Sequence, residues 1–208
     1  MKLFVEGGGS STALKSECRE GFKNFITNAG IGKRPRIVAC GSRSEAYSDF
    51  CTAIKNKEDA MLLVDSEEGV LSGSQEGNDK SRWLPWNHLV KREGDLWTRP
   101  KGSVDLDCHM MVQIMESWFL ADRRALVAFF GSGFKEGKLP AAERAVEEIP
   151  KNEVYRSLKD ATADCKTKAP YGKGAHSFKI LASLDPAIVT AASPWAARFV
   201  DALKQKMV

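Results

Sequence analysis

The sequence predicts an α/β fold: a parallel sheet of about four strands between helices, followed by a C-terminal helical region. Three observations predict it. Short apolar runs alternate with amphipathic stretches in the order β-α-β-α-β, and the connections are short enough to require right-handed crossovers. After Gly131-Ser132-Gly133 the pattern is helical to the end.

The elements follow in order. Residues 2–6 (KLFVE) read as a buried strand. A helix begins at about residue 10, capped by Ser10 or Ser11, with Leu14, Cys18, Phe22, Phe25 and Ile26 on one face. Asn28-Ala29-Gly30 ends it. Residues 36–40 (RIVAC) form a second strand, and a helix from about Ser44 carries Tyr47, Phe50, Cys51 and Ile54 at helical spacing. Residues 60–65 (AMLLVD) are a third strand. The stretch 67–107 is rich in Gly, Ser, Trp and charge and reads as loop with one short helix at 86–92. A fourth apolar run, 108–115 (CHMMVQIM), leads through Glu116 into a helix over 117–130. Helices are then expected at 140–148, 152–163, 175–184, 186–192 and 194–206, three of them opened by Pro, whose missing N–H is not needed there. Residues 1–130 are thus expected to form the α/β domain, with a loop-rich insertion at 66–107, and residues 131–208 a helical region packed on it.

Bulk properties narrow the function classes. An apolar share of 43% over 208 residues is enough for one sizeable core. No apolar stretch approaches the ~20 residues that cross a bilayer, and the first residues do not read as a secretory signal, so a cytoplasmic protein without a membrane partner is expected. The five cysteines (Cys18, Cys40, Cys51, Cys108, Cys165) are scattered with no CxxC pair, which argues against a disulfide framework or a zinc ribbon. Charge is uneven: ten Lys/Arg against five Asp/Glu from residue 150 onward (+5), and 21 against 22 before it (−1). This arrangement suits a polyanion held by the C-terminal part over an acidic site, and equally a solvated basic helical surface.

The informative pattern is where the carboxylates fall. Three apolar strands run into an acid: Val5-Glu6, Val64-Asp65 and Met115-Glu116, with Glu67 two residues past Asp65. In a parallel sheet the carboxyl ends share one edge, where open α/β sheets bind ligands. Three or four carboxylates cannot stay ionised together without a cation. Hard oxygen ligands of this kind suit Mg²⁺ or Mn²⁺. Taken singly, each acid has a plainer explanation as a loop start or helix cap, and Glu68 reads as solvated.

At these residues the chain resembles a known family. LFVEGGGSS followed by AMLLVDSEEG is similar to the Toprim domain of topoisomerases, primases and OLD-type nucleases, which has a glutamate after the first strand and a DxD-type pair after the third. MVQIMESWFLAD, with PYGK beyond it, resembles a group of small bacterial Toprim-like proteins whose genes often lie beside ATPases in suspected phage-defence loci. The resemblance covers residues 1–120 for Toprim itself and most of the chain for the smaller group. Two departures stand out: the second acid is Glu67, with a longer arm, and Gly69 sits one place early. The resemblance implies Mg²⁺-dependent phosphodiester chemistry. Glu6 would be general acid/base or metal ligand, Asp65 and Glu67 metal ligands, and Glu116 an additional ligand. Strand passage is not expected, because Tyr47, Tyr155 and Tyr171 all have plainer roles.

Other residues invite weighing. Lys173, in the tight turn of PYGKGAHSF, is placed to meet phosphate and to neutralise transition-state charge, or is a surface lysine. Gly7, Gly8 and Gly9 either cradle phosphate or merely permit close approach. His109 reads as a hydrogen-bonded core residue. His88 and His176 are not at metal spacing to each other, although His176 nears the site if the C-terminal helices cover the sheet edge. Asp122 reads as a local cap or a partner of Arg123 or Arg124, and the WFLAD resemblance gives it some functional weight. Trp83, Trp86 and Trp97 lie among Lys80, Arg82, Lys91, Arg92, Arg99 and Lys101, which suits base stacking, a partner interface, or simple packing onto the domain.

Three functions compete: a metal-dependent nuclease acting on nucleic acid, a catalytically weak Toprim-like module that binds a partner ATPase, and a nucleotide or phosphotransfer protein using Gly7–Gly9.

Overall fold

A computed structural model describes residues 1–207. Four strands, β1 (Lys2–Gly8), β2 (Arg36–Gly41), β3 (Ala60–Asp65) and β4 (Cys108–Met111), form one all-parallel sheet in the order β2-β1-β3-β4. The chain steps outward from β1 to β2, then returns past β1 to β3. The strand order therefore reverses between β1 and β3, and in open α/β sheets the crevice at such a reversal is where ligands bind.

Period-two alternation divides the core. Leu3, Val5, Met61, Leu63 and Met111 point to one face, while Phe4, Leu62, Val64, Cys108 and Met110 point to the other. Helix α1 (Thr12–Asn28) covers the first face with Cys18, Phe22, Phe25 and Ile26, and its N-cap is Ser11. Helix α2 (Arg43–Lys55) covers the second with Ala46, Phe50 and Ala53. It starts with a capping box in which Ser42 and Glu45 satisfy each other's backbone N–H groups. The three buried cysteines Cys18, Cys40 and Cys108 fill this core. Burial pushes the first two thiols up to about 12, so they are inert fillers rather than nucleophiles.

The 66–107 stretch is mostly loop as expected, with α3 (Pro85–Lys91) as its helix. Its tryptophans are not available for stacking on bases or for a partner. Trp83, Trp86 and Trp97 are 4%, 5% and 8% exposed, and Trp97 stacks on Tyr47 at 4.6 Å. Packing won because each indole removes a large apolar area from water on the α2 face.

The fourth strand is shorter than the apolar run that predicted it. After Met111 the chain turns, donating Met115 N to Asp65 Oδ1 at 2.8 Å, so Glu116 is five residues beyond the strand rather than at its end. The predicted helix over 117–130 is two: α4 (Ser117–Ala121) and α5 (Arg123–Phe130). Asp122 separates them, accepting from Ala125 N at 3.1 Å and from Asp185 N at 2.9 Å, which makes it a cap and a tether.

No α-helix forms over 140–148. That segment is a turn followed by a single 3-10 turn at Val146–Glu148, buries Val146 and Ile149, and ends before Pro150, which disfavours helical backbone in the residue before it. Glu147 is instead spent on the start of a later helix, accepting from Trp195 N at 2.9 Å and Ser193 Oγ at 2.5 Å. The remaining helices follow expectation: α6 (Lys151–Thr162), α7 (Ser177–Ser183), α8 (Pro186–Ala192) and α9 (Pro194–Lys206). They share one apolar cluster with α1 and the sheet. Helix α7 packs on α1, and α9 covers the β4 edge with a buried Arg198. That guanidinium donates to Cys108 O at 2.8 Å and to Asp105 O at 2.8 Å, closing an otherwise open sheet edge. No helix among the described residues is long and apolar enough to cross a membrane.

Candidate functional site

The site grows from the two strands that flank the reversal. β1 delivers Glu6, whose Oε2 accepts the backbone N–H of Asp65 at 3.1 Å. β3 delivers Asp65, 3% exposed, and the turn after it delivers Glu67. Ser66 N donates to Met111 O at 3.0 Å and Glu67 N to Gln113 O at 2.7 Å, so this turn stays in line with the sheet. From the opposite side His88 Nε2 meets Ser66 O at 3.0 Å. Glu67 sits at φ 69°, a left-handed backbone that costs a non-glycine residue about 1–2 kcal/mol. Such strain persists only where the surroundings over-determine it, and it concentrates at functional sites.

One carboxylate oxygen each from Glu6, Asp65 and Glu67 can be chosen so that all lie within 4.8 Å of one another. Glu116 falls outside this trio but lines the same 320 Å³ cavity, with Glu6, Asp65, Met115, Lys173 and the three glycines. It is wholly buried, and its Oε1 accepts from Tyr171 Oη at 2.8 Å and Ser177 Oγ at 3.1 Å, while Tyr155 reaches Oε2 at 3.4 Å. Both short bonds fall on Oε1, while Oε2 carries only the long Tyr155 contact.

The electrostatics follow from burial. Burial raises Glu6 to about 7, against the opposing pull of Arg43 and the Asp65 N–H bond. Burial, then Glu6 and Glu116, raise Asp65 well above the usual carboxylate range. Glu67 behaves differently: burial opposes its charge, but the Lys151 bond and Arg43 outweigh burial and hold it below the usual range. Two of three clustered carboxylates therefore resist ionisation, chiefly because burial strips them of water and secondly, at Asp65, because other carboxylates stand beside it. A divalent cation would supply positive charge there, and the all-oxygen donor set fits Mg²⁺ or Mn²⁺.

Lys173 sits exposed at the cavity rim, its Nζ donating to Tyr155 Oη at 2.9 Å. Burial would lower its pKa, but Glu116, Tyr155 and Asp65 outweigh it and raise it, so the ammonium is always charged.

The glycines serve packing at two positions of three. A Cβ on Gly8 would lie 2.8 Å from the Lys15 backbone, and one on Gly7 2.9 Å from Phe178 Cζ; both have positive φ. Gly9, at φ 52°, faces open space.

Several functional side chains were not read from the sequence. Arg43 stands over the cluster: its Nη1 donates to Asp65 O at 2.8 Å, its Nη2 to Asp95 at 2.7 Å, and it lies 4.0 Å from both Glu6 and Glu67. Its position just past the carboxyl end of β2 was the available signal. Lys151, Tyr155 and Ser177 come from distant helices and carry no such signal. His109 is buried between Leu106 O and Arg198, as a core histidine should be. His176 packs on Phe129, Phe130 and Tyr171, outside the cavity lining.

A family model described as a domain of unknown function (DUF4276) matches residues 5–204. Neither a curated protein nor a solved structure matches the chain.

Proposed function

We propose, for a chain that belongs to the DUF4276 family, that Glu6, Asp65 and Glu67 hold Mg²⁺ or Mn²⁺ and that the protein cleaves phosphodiester bonds in nucleic acid. One observation carries the reading: three carboxylates from separate positions of the chain meet within 4.8 Å at the reversal point of the sheet. When bound, the cation would polarise a phosphoryl oxygen and lower the pKa of an attacking water. Glu6 completes the cation's ligands or, where Asp65 and Glu67 alone hold the cation, accepts and returns the proton. Lys173, permanently charged and held on Tyr155, offsets negative charge that builds on the phosphoryl oxygens. Glu116 holds the α7 turn that carries Lys173, through Tyr171 and Ser177. Gly9, the one rim glycine with open space beside it, leaves room for substrate backbone.

The tryptophans that a partner-ATPase surface would have used are buried, which leaves that reading with the resemblance alone.

The test incubates purified protein with supercoiled plasmid and short single strands in Mg²⁺, Mn²⁺ or EDTA. Divalent-dependent nicking that disappears in Glu6→Gln and Asp65→Asn is expected. Nicking that persists in both variants, or a wild type that neither cleaves nor binds Mn²⁺ by calorimetry, overturns the proposal.

A further inference from the structure

The charge excess of the C-terminal segment does not form the most coherent basic surface. That surface is on α1 and the start of β2. Between residues 15 and 36 stand six cations (Lys15, Arg19, Lys23, Lys33, Arg34, Arg36) against two acids, Glu17 and Glu20. Lys15, Arg19 and Lys23 are spaced i, i+4, i+8, so they share one side of the helix. Thr27 continues the row one turn on, and Arg34 Nη1 donates to its Oγ1 at 3.3 Å. Arg19, Lys23, Arg34 and Arg36 line a single 470 Å³ cleft between α1 and the β2 edge. Both local acids are already committed, Glu17 to Lys179 at 3.5 Å and Glu20 to Lys23 at 3.0 Å. Among the described residues no carboxylate pairs with Lys15, Arg19, Lys33, Arg34 or Arg36.

A larger concavity of 860 Å³ lies at the amino edge of the sheet. It is of mixed charge: Lys206 bonds Asp107 at 2.7 Å and Asp59 at 3.5 Å, and Lys55, Lys57 and Lys101 line it beside Glu58. Along the α1 row, Lys23 alone has a carboxylate partner, Glu20, among the described residues.

The row also has a direction. Lys15 abuts Gly8, which lines the carboxylate cavity, so one end starts at the site's rim. From Lys15 to Thr27 the helix rises about 18 Å, a span of roughly five phosphates at about 3.4 Å per nucleotide of a duplex strand. We infer that this row is the track on which the phosphate backbone of nucleic acid lies as it enters the carboxylate cavity. The inference rests on the metal-dependent cleavage proposed above and names the surface that selects its substrate. Exposed point charges along a backbone give sequence-independent, salt-dependent binding.

The test uses the full chain and an Arg19→Gln/Lys23→Gln/Arg36→Gln variant, all solvent-facing positions outside the cavity. Anisotropy of a labelled 20-base-pair duplex is followed in EDTA over a salt series, beside hydrolysis of bis(4-nitrophenyl) phosphate in Mn²⁺. The triple variant should bind at least about tenfold more weakly, with a log K against log salt slope shallower by about 2–3, while hydrolysing the small diester like wild type. Equal affinity and slope in the two proteins overturns the track, as does a wild type that binds no nucleic acid or prefers anionic phosphatidylserine vesicles to it. A track confirmed by binding in a protein that hydrolyses no diester leaves this inference standing and defeats the cleavage reading instead.

Discussion

The Glu6 carboxylate accepts the backbone N–H of Asp65 at 3.1 Å, locking the first acid of the cluster onto the strand that carries the second. This single bond sets the register of the site. It fixes where Glu6 points, opposes the burial that lifts its pKa to about 7, and places its carboxylate against Asp65, whose own side chain is fixed by Met115 N.

Asp65→Asn should separate stability from metal binding. The amide oxygen can keep the Met115 N–H bond while removing a charge that burial disfavours. Metal-free Asp65→Asn is therefore expected to be more stable than wild type at neutral pH. Wild type should gain melting temperature in millimolar Mn²⁺ and the variant should not. A variant several kcal/mol less stable, or one that keeps the Mn²⁺ response, would show that Asp65 is structural.

Arg43 is expected to be both a strut and a charge reserve. Arg43→Met leaves the nearly buried Asp95 with only Arg92 as ion-pair partner, at 3.1 Å, and should cost about 2–3 kcal/mol in urea unfolding. Pairing it with Asp95→Asn should recover at least half of that loss, since the orphaned charge goes with its partner. Additive losses in the double variant would rule out the Asp95 pair as the cause.

The glycine run can be split by substitution. Gly8→Ala meets both a positive φ and the Lys15 backbone, so a loss of about 3 kcal/mol or more is expected. Gly9→Ala meets only the φ penalty, about 1–2 kcal/mol. If Gly9→Ala proves the more damaging to folding, the packing account of this loop is wrong.

Lys173→Met should lower kcat by roughly 100-fold, in line with losing one transition-state donor, and leave Mn²⁺ affinity within about twofold. An unchanged kcat would return Lys173 to the surface.

Stability should also fall in acid through His109. Burial first, then Arg198, hold its pKa well below the ordinary value, while Leu106 O offsets them only partly. With the folded pKa depressed, the unfolded chain binds the extra proton below pH ~6.5, so this contribution is full above that value and is lost as pH falls, by up to about 1.4 kcal/mol per unit. In His109→Gln the slope between pH 6.5 and 5 should flatten by about that amount. A variant with wild-type pH dependence would be falsifying.

Much of the fold was legible. Period-two apolar runs and capped amphipathic helices are local, and β1, β2, β3, α1 and α2 emerged near their expected bounds. The misses were also physical. The run at 108–115 is mostly apolar, with only His109 and Gln113 polar, so composition alone gave no reason to end the strand at Met111. The stretch 140–148 has helical composition, but burial of Val146 and Ile149 and the use of Glu147 at the start of α9 overrode it. Within the site, Glu6, Asp65 and Glu67 could be found because parallel strands put their carboxyl ends on one edge. Glu116 shares the cavity, yet its partners Tyr155, Tyr171 and Ser177 lie 39 to 61 residues away.

By itself, then, the sequence determined which residues form strands and helices, and that acids follow the strands that flank the reversal. Those facts depend on periodicity and on the fixed polarity of a parallel sheet, both readable within a few residues. Only the tertiary structure decided that Arg43 and Lys151 would supply the cluster's positive charge, that Glu116 would anchor a turn, and that four cations of α1 and β2 would line one cleft. Those outcomes depend on distances between elements far apart in the chain, which packing sets and local pattern does not record.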